Sequence, residues 1–342
     1  MNEQPSTRIG NKSGLVNVAV KVGIAIIGAG QAGLSSAYHL QRLGLVPGAD
    51  FLVFDQSPRP GGAWQFRWPS LTLTTVNRIH DLPGMRFEEA VDISAGQLKA
   101  SEAVPRYYDA YEQAFGLKVV RPVAVKVVCD RGERMRVETD RAGMYSARGI
   151  INATGTWTSP YIPDYPGKDV FKGRQLHTRD YRTADEFAGQ HVIIVGGGIS
   201  AIQLLDEISE VTSITWTTRR EPAFRDAEFT PEAGRAAVAL VEDRVRKGFP
   251  PTSVVSVTGL PVTPRIKAMR ERGVLKRLPM FSECQRRSES RPVGRSKSRP
   301  VRARRRPLAK RAFNGAVASE RPLGLRLADC LVQRWPGFAP PR

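Results

Sequence analysis

The sequence lacks the features of several simple protein classes. Its 3 cysteines in 342 residues, Cys129, Cys284 and Cys330, lie far apart from one another. An odd number of scattered cysteines excludes a disulfide scaffold, a C-x-x-C redox pair and a thiolate zinc site, and it favours a reducing, cytoplasmic compartment. No apolar run reaches the roughly 18 residues that a membrane-spanning helix needs. We therefore predict no metal site and no membrane partner.

The N-terminal segment also lacks a targeting signal. Residues 1–21 are polar and carry Gly, Ser and Asn at intervals, with no apolar run of signal-peptide length. We expect this segment to be flexible and the protein to be soluble.

Acidic residues are scarce relative to basic ones. The 52 Lys and Arg against 33 Asp and Glu give a net charge of +19. Residues 284–342 hold sixteen of these basic residues and only three acidic ones, so +13 of the charge lies there and +6 in the rest. A charge of this size is ordinary for the body of an enzyme, and we expect the folded part to bind no nucleic acid.

A glycine-rich turn near the start of the chain follows a short apolar run. Val22–Ile27 is typical of a strand buried in a parallel sheet, and apolar residues at helical spacing follow the glycines. In a dinucleotide-binding turn, Gly28 permits the tight bend, Gly30 leaves room for a pyrophosphate, and Gly33 lets the helix pack on the strand. The predicted contacts with this dinucleotide are Gly28, Gly30, Gln31, Ala32 and Gly33.

An acidic residue stands where this type of turn needs one. Phe51–Phe54 is predicted as the second strand, and it ends at Asp55, 22 residues after Gly33. A carboxylate at this place can accept hydrogen bonds from a ribose diol. A glycine pattern alone is often a chance match in a loop, but strand, helix and acid agree here, and together they favour a dinucleotide site.

A second turn of the same kind occurs later in the chain. His191–Val195 is predicted as a strand, and the turn after it precedes a helix and the strand Ser213–Thr217. This strand ends in Arg219 and Arg220, which suit the 2′-phosphate of NADP(H), or alternatively form a solvated strand end. The other predicted contacts are Gly196, Gly198, Ser200 and Ala201.

Two such turns about 168 residues apart indicate electron transfer between two bound dinucleotides. The first turn suits FAD because of its N-terminal position and its Asp55, and the second suits NADPH. The predicted fold is therefore α/β, with two Rossmann-like dinucleotide-binding domains, a small β-meander and a disordered basic C-terminal tail. The predicted divisions are residues 1–21 (N-terminus), 22–160 (FAD-binding), 161–185 (linker), 186–283 (NADP-binding) and 284–342 (tail).

Between the two turns lie further groups that could contact the flavin. Gly62 could let the backbone approach FAD and Trp64 could cover the flavin, although a turn with a core tryptophan fits equally well. The segment Ser70–Leu82 supplies polar side chains for the reactive edge, namely Thr72, Thr74, Asn77 and His80. Strands are predicted at Val123–Val128, Met135–Thr139 and Gly149–Ile151, and a second close backbone approach at Ala153, Thr154 and Gly155. Helices are predicted at Pro231–Lys247 and Arg265–Leu278.

The linker carries the spacing F-x-G-x-x-x-H-x-x-x-Y, from Phe171 through Gly173 and His177 to Tyr181. Between two dinucleotide turns, this pattern resembles the fingerprint of the flavin-containing monooxygenases and their bacterial flavoprotein relatives. The Baeyer–Villiger branch looks similar, but its motif ends in Trp followed by Pro or Asp. The resemblance extends over roughly residues 22–281.

The resemblance implies a reaction cycle. NADPH reduces FAD, the reduced flavin and O2 form a C4a-hydroperoxyflavin, and this species oxygenates a small nitrogen-, sulfur- or carbonyl-containing substrate. By analogy, Asn77 is the candidate catalytic residue near the hydroperoxide, and His177 stabilises the domain junction or the cofactor geometry. The alternative on the same scaffold is a reductase that passes electrons from NADPH through FAD to another acceptor.

The end of the chain departs from the family pattern. After Phe281, Arg and Ser-Arg runs replace the strand, A-T-G-F-like turn and final helix that similar proteins carry. One interpretation is a shifted coding frame near residue 283, because degenerate codons for residues 303–309, read one nucleotide later, can encode Asp-Val-Val-Leu-Trp. The other is a genuine basic tail that binds polyanions. A shifted frame predicts weak FAD retention, impaired activity or an inactive remnant.

Overall fold

The computed structural model describes residues 19–76, 79–95, 97–226, 230–250 and 258–281. The predictions of a flexible N-terminus before residue 19, a disordered or frame-shifted tail, and a catalytic Asn77 lie outside these residues. The described residues fall into two units. The larger contains residues 19–221 and 264–281, and the smaller contains those between 222 and 263.

Ten strands and five α-helices are assigned within the described residues. The strands are β1 Val20–Ile27, β2 Phe51–Phe54, β3 Val125–Asp130, β4 Met135–Thr139, β5 Met144–Asn152, β6 His191–Val195, β7 Ser213–Thr218, β8 Phe224–Arg225, β9 Leu260–Pro261 and β10 Arg277–Pro279. The helices are α1 Gln31–Arg42, α2 Ala100–Ala114, α3 Ile199–Ser209, α4 Pro231–Arg246 and α5 Pro264–Glu271.

The first sheet of the larger unit has five strands in the order β2-β1-β5-β4-β3. β1 lies parallel to both β2 and β5, whereas β3, β4 and β5 form an antiparallel meander. Ala25 and Ile26 of β1 are fully buried, as expected for the central strand of a parallel arrangement. The predicted meander is therefore continuous with the first dinucleotide-type sheet, which it joins through β5.

Helices α1 and α2 belong to the core of this part of the unit. Leu34 of α1 and Tyr111 of α2 are fully buried in one cluster with Phe51 of β2. The Tyr107 hydroxyl accepts a hydrogen bond from the Leu82 backbone N–H at 2.6 Å and donates one to the Met85 carbonyl at 2.6 Å. These bonds hold the loop after the predicted polar segment against α2.

The second sheet has three parallel strands in the order β10-β7-β6. Helix α3 joins β6 to β7, and its Leu205 and Ile208 are buried. The arrangement β6-α3-β7 is the strand, helix and parallel strand of a Rossmann-like unit. Both predicted dinucleotide-type units are thus present in an α/β fold.

The predicted helix Arg265–Leu278 is wrong in its second part. Helix α5 ends at Glu271, and Gly273 adopts a left-handed conformation with φ of +74°. Such a glycine ends a helix because it accepts positive φ without a Cβ penalty. The chain then pairs as β10 beside β7, with Leu278 opposite Thr217, so tertiary strand pairing overrides the apparent helical periodicity.

The smaller unit contains α4 and the short parallel pair β8 and β9. The predicted helix Pro231–Lys247 agrees with α4 to within one residue. Thr230 caps this helix, because its hydroxyl accepts a hydrogen bond from the Ala233 N–H at 3.2 Å. Among the helices formed by described residues, none is long and apolar enough to cross a bilayer.

Candidate functional site

The first glycine turn is packed closely from behind and open in front. Gly28 has φ of +105°, and a Cβ there would collide with the backbone of Ala153. A Cβ at Gly33 would collide with the Gly28 carbonyl oxygen. At Gly30, by contrast, no atom lies within 4 Å of an added Cβ. The turn therefore has the mechanical properties predicted for it, with free space only where a pyrophosphate would approach.

The Asp55 carboxylate is buried and bonded to the turn itself. It accepts hydrogen bonds from the backbone N–H groups of Ala29 and Ser57, each at 2.6 Å. A carboxylate has about four lone-pair sites, so these two bonds leave capacity for a ribose hydroxyl. The ribose contact stays a prediction, while the structure adds that Asp55 fixes the shape of the glycine turn.

Two further backbone turns approach the first one. A Cβ on Gly62 would lie 3.0 Å from the Cα of Gly30, and Ala153 lies directly behind Gly28. Gly155 has φ of +61° with open space around it, and Thr154 bonds to the Asn152 side chain at 2.8 Å. Gly62 thus approaches Gly30, and the Ala153–Gly155 segment approaches Gly28, so small residues surround the turn on two sides.

The α1 N-terminus completes a fit test for a dinucleotide. Gly30 precedes the helix and no side chain caps it, so the N–H groups of the first turn are not covered by a capping side chain. Gln31 and Ala32 are exposed there. Uncapped N–H groups and the helix dipole favour an anionic phosphate. The residues of this turn therefore fit the pyrophosphate of FAD.

Trp64 takes part in an aromatic cluster that sequence analysis did not recognise. The Arg67 guanidinium lies 4.7 Å from the Trp157 ring centroid and 5.6 Å from that of Trp64. Burial lowers the pKa of Arg67. Trp64 also packs against the hydrophobic core, so the structure supports its core interpretation and leaves its contact with flavin a prediction.

The second turn has the same backbone pattern in a more open setting. The Gly196 N–H donates to the Thr217 carbonyl at 3.0 Å, as the Gly28 N–H donates to the Phe54 carbonyl at 2.7 Å. No atom lies within 4 Å of a Cβ added at Gly198. This turn therefore offers the same free space above its helix N-terminus as the first.

The helix after the second turn and the end of β7 provide the remaining predicted contacts. Helix α3 has no side-chain cap, and Ser200 and Ala201 lie in its first turn. Arg219 and Arg220 follow β7 and are exposed, in a position where their charge can meet a phosphate from solvent. Two exposed guanidinium groups after the strand that pairs with β6, together with an uncapped helix N-terminus, fit a phosphorylated dinucleotide such as NADPH.

The fingerprint residues lie between β5 and β6 in the chain. His177 accepts a hydrogen bond at Nδ1 from the Arg179 backbone N–H at 3.3 Å, so it shapes the following 3₁₀ turn. The Tyr181 hydroxyl donates to Glu207 of α3 at 2.8 Å. Burial raises the pKa of Tyr181 far above its usual range, and the bond to Glu207 raises it further. The Tyr181 hydroxyl therefore stays protonated near neutral pH and donates a hydrogen bond to Glu207.

The predicted polar segment is partly placed. The Thr72 and Thr74 hydroxyls are 2.8 Å apart, Thr72 is buried, and His80 is exposed.

A cavity of about 240 Å³ is lined by Phe66, Trp157, Thr158, Arg179, Asp180 and Arg182. It places the stretch after the Ala153–Gly155 turn beside the fingerprint.

Comparison with known proteins assigns the family. Residues 25–233 match the family described as pyridine nucleotide-disulphide oxidoreductase. A flavin-containing monooxygenase from Stenotrophomonas maltophilia is 35% identical, with a TM-score of 0.62, over 77% of this chain and 71% of that chain. The chain belongs to the flavin-containing monooxygenase family. This confirms the resemblance found in the sequence, and members of the family use the two predicted cofactors, FAD and NADPH.

Two curated relatives extend the comparison. A Baeyer–Villiger monooxygenase from Streptomyces coelicolor is 28% identical over 68% of this chain and 43% of its own length. A senecionine N-oxygenase from Tyria jacobaeae is 25% identical over 56% of this chain and 45% of its own length. The chain thus spans about half the length of the curated relatives it matches.

Proposed function

We propose that the chain is an NADPH-dependent FAD monooxygenase that acts on a small nitrogen-, sulfur- or carbonyl-containing compound. In the overall reaction, NADPH, a proton, O2 and the substrate give NADP+, water and the oxygenated product. FAD, when bound, accepts the hydride and passes the electrons to O2. Family membership and the presence of two dinucleotide turns support this proposal.

The observation that carries the proposal is the paired free space at Gly30 and Gly198. Each glycine ends a parallel strand-to-helix turn, each precedes an uncapped helix, and each leaves its front open. Two such openings in one chain suit two dinucleotides, which electron transfer from NADPH to FAD requires.

The protein's own residues would bind the two cofactors, orient them and exclude water from the site. Asp55 holds the first turn in shape and is positioned to meet a ribose, while Arg219 and Arg220 would select the phosphorylated nicotinamide. His177 would hold the fingerprint turn in place between the two sheets. Since the flavin carries the redox chemistry, few acid or base side chains are needed.

The proposed substrate class rests on the relatives and on the fingerprint of this chain. One relative is named an N-oxygenase and another a Baeyer–Villiger monooxygenase, so nitrogen and carbonyl compounds are both candidates. Tyr181 followed by Arg182, in place of the Trp ending of the Baeyer–Villiger motif, favours nitrogen- and sulfur-containing compounds as the first panel to test.

The experiment is to follow NADPH oxidation, O2 uptake and product formation together in the FAD-loaded chain, with amines, sulfides and ketones as substrates. The proposal predicts one O2 consumed per NADPH and one ¹⁸O atom from ¹⁸O2 in the product. NADPH oxidation that continues without O2 when a quinone or ferricyanide is supplied, with no oxygenated product in air, would support the reductase alternative instead.

A further inference from the structure

The carboxylate of Glu207 joins three separate segments of the larger unit. Its Oε1 accepts a hydrogen bond from the Trp68 indole N–H at 2.9 Å. Its Oε2 accepts bonds from the Ser70 hydroxyl at 2.7 Å and from the Tyr181 hydroxyl at 2.8 Å. One side chain of α3 therefore connects the segment that follows Gly62, the end of the fingerprint and the helix that follows the second turn.

Two of the three donors around this carboxylate, Trp68 and Tyr181, are buried and packed against each other. Trp68 is 1% exposed and Tyr181 is 3% exposed. Their rings meet edge to face with centroids 5.7 Å apart, and the Tyr181 ring also stacks on Phe187. A buried indole N–H or phenol without an acceptor is costly, so removal of the carboxylate would force these rings to move or to find water.

A second contact lies one helical turn earlier on the same side of α3. Gln203 donates a hydrogen bond from Nε2 to the Thr75 carbonyl at 3.0 Å. Gln203 and Glu207 are four residues apart, so they share one face of the helix. Three hydrogen bonds, two to Glu207 and one from Gln203, thus join this face of α3 to residues 68–75, which follow Gly62 in the chain.

The neighbouring carboxylates of α3 make different contacts. Asp206 is 5% exposed and pairs with Arg265 and Arg272. Glu210 pairs with Arg272 and is 62% exposed at its side chain. These partners belong to or directly follow α5. Among the described acidic residues of α3, Glu207 alone has hydrogen-bond partners at Trp68 and Ser70.

We propose that Glu207 is a positioning residue that fixes α3, and with it the second turn, relative to the flavin-binding elements. The helix begins after Gly198, and Glu207 lies nine residues further on, or about 13 Å along the axis. An anchor at this distance controls the tilt of the helix whose N-terminus would hold NADPH. The inference rests on the proposed function, since it assigns Glu207 a role in the distance for hydride transfer.

The test compares Glu207→Ala with Glu210→Ala, the same change at the residue that caps the C-terminus of α3, and with Glu207→Gln. A glutamine can accept from Trp68 and donate to the two hydroxyls, so it should preserve the contacts. Three quantities are measured: the rate constant of anaerobic flavin reduction at saturating NADPH, the Kd for NADP+, and backbone hydrogen exchange in the chain without cofactors.

We expect Glu207→Ala to slow flavin reduction about tenfold or more, since misplacement by about 1 Å can cost a hundredfold. Its Kd for NADP+ should stay within about twofold of the parent value, because a positioning effect does not remove contacts with the nucleotide. Residues 68–75 and 199–209 should both exchange faster in this variant. Glu207→Gln and Glu210→Ala should resemble the parent in all three measurements.

An unchanged reduction rate in Glu207→Ala, in a parent chain that does reduce its flavin, would overturn the inference. Equal slowing in Glu210→Ala would also overturn it, because the effect would then belong to general helix stability. If the parent binds both cofactors without flavin reduction, the proposed function fails. In that case hydrogen exchange still tests whether Glu207 fixes α3. Unchanged exchange of residues 68–75 in Glu207→Ala would contradict that role.

Discussion

The two glycine turns have the same backbone pattern but differ in how closely the protein surrounds them. Behind the first, any Cβ at Gly28 or Gly33 would collide with backbone atoms. Behind the second, the nearest atom to a Cβ on Gly196 is 3.8 Å away, and the position equivalent to Gly33 is occupied by Ala201. At Gly28 and Gly33 the first turn therefore admits only glycine, whereas the second turn already carries a methyl group at Ala201.

The strand before the first turn is also more closely surrounded than the strand before the second. β1 has a strand on each side, whereas β6 pairs with β7 alone among the described residues. Ile193 and Val195 of β6 are 49% and 41% exposed. The first turn thus has a rigid, enclosed frame that suits a permanently bound cofactor, and the second has an open frame that suits a nucleotide exchanged in each cycle.

The largest effects should come from side chains placed in the two open positions. A Cβ added at Gly30 or Gly198 meets no protein atom within 4 Å, so we expect both Gly30→Val and Gly198→Val to fold, at a cost of about 1 kcal/mol at the helix N-terminus. Each valine would occupy the phosphate position. We expect Gly30→Val to lose FAD and Gly198→Val to keep FAD while its Kd for NADP+ rises about a hundredfold or more.

Flavin absorbance after gel filtration and NADP+ titration measure these two outcomes, with circular dichroism as the check on folding. Loss of FAD from Gly198→Val, or its retention in Gly30→Val, would contradict the assignment of the first turn to FAD.

The second prediction compares the packing at the third position of each turn, by placing alanine at position 33 and glycine at position 201. Gly33→Ala should lower the free energy of unfolding by about 3 kcal/mol, since the added methyl group meets the Gly28 carbonyl. The reverse change, Ala201→Gly, should cost only about 1 kcal/mol from helix propensity. Urea unfolding measures both. Equal losses would show that the two turns are packed alike.

The third prediction concerns the charges after β7. Arg219→Ala combined with Arg220→Ala should raise KM for NADPH about tenfold and leave KM for NADH nearly unchanged, because a charge-assisted bond contributes about 1.5–3 kcal/mol. The exposed Arg148 of β5 offers a matched control, since Arg148→Ala removes a charge far from β7 in sequence. An equal rise in KM for NADPH and for NADH would show that the 2′-phosphate does not contact Arg219 and Arg220.

The smallest effect concerns the fingerprint tyrosine. Burial and the bond to Glu207 raise the pKa of Tyr181, so the folded state holds its proton more tightly than the unfolded state. The stabilisation is fully present below the unfolded pKa of about 10 and declines above it, by at most about 1.4 kcal/mol per pH unit. The stability difference between the parent and Tyr181→Phe should therefore shrink above pH 10.

Denaturant unfolding from about pH 9 to about pH 11 measures this difference. Tyr161, which is 84% exposed, provides the matched control variant Tyr161→Phe. A difference between the parent and Tyr181→Phe that does not shrink over this range would contradict the raised pKa of Tyr181.

Local patterns in the sequence predicted the elements around both turns well. The strands Phe51–Phe54 and His191–Val195 have the predicted bounds because short apolar runs bounded by polar residues or glycines are a local signal. The helix Arg265–Leu278 was predicted wrongly past Glu271. Gly273 is a local signal for the end of the helix, whereas the strand β10 depends on its pairing with β7, and that information is not local.

Site residues divide in the same way. The glycine positions could be predicted because a turn demands them, whereas Glu207 could not be identified from sequence. A glutamate in an amphipathic helix normally faces solvent, and its partner Trp68 lies 139 residues away in the chain. The double role of Asp55 was half predicted: its place was clear, but its bonds to Ala29 and Ser57 depend on the fold.

The retention of flavin tests the expectation from the C-terminal sequence. A shifted frame predicts that the purified chain is colourless or binds FAD weakly, while a genuine tail predicts a stoichiometric yellow protein. Sequencing of the gene around the codon for Glu283 separates the two explanations directly.

The most direct test of the whole account is anaerobic mixing of the FAD-loaded chain with NADPH in a stopped-flow spectrometer. The account predicts that the visible absorbance of the oxidised flavin disappears in a saturable reaction, faster with NADPH than with NADH. Flavin that stays oxidised at saturating NADPH, although both nucleotides are bound, would contradict the claim that the two turns serve one electron transfer.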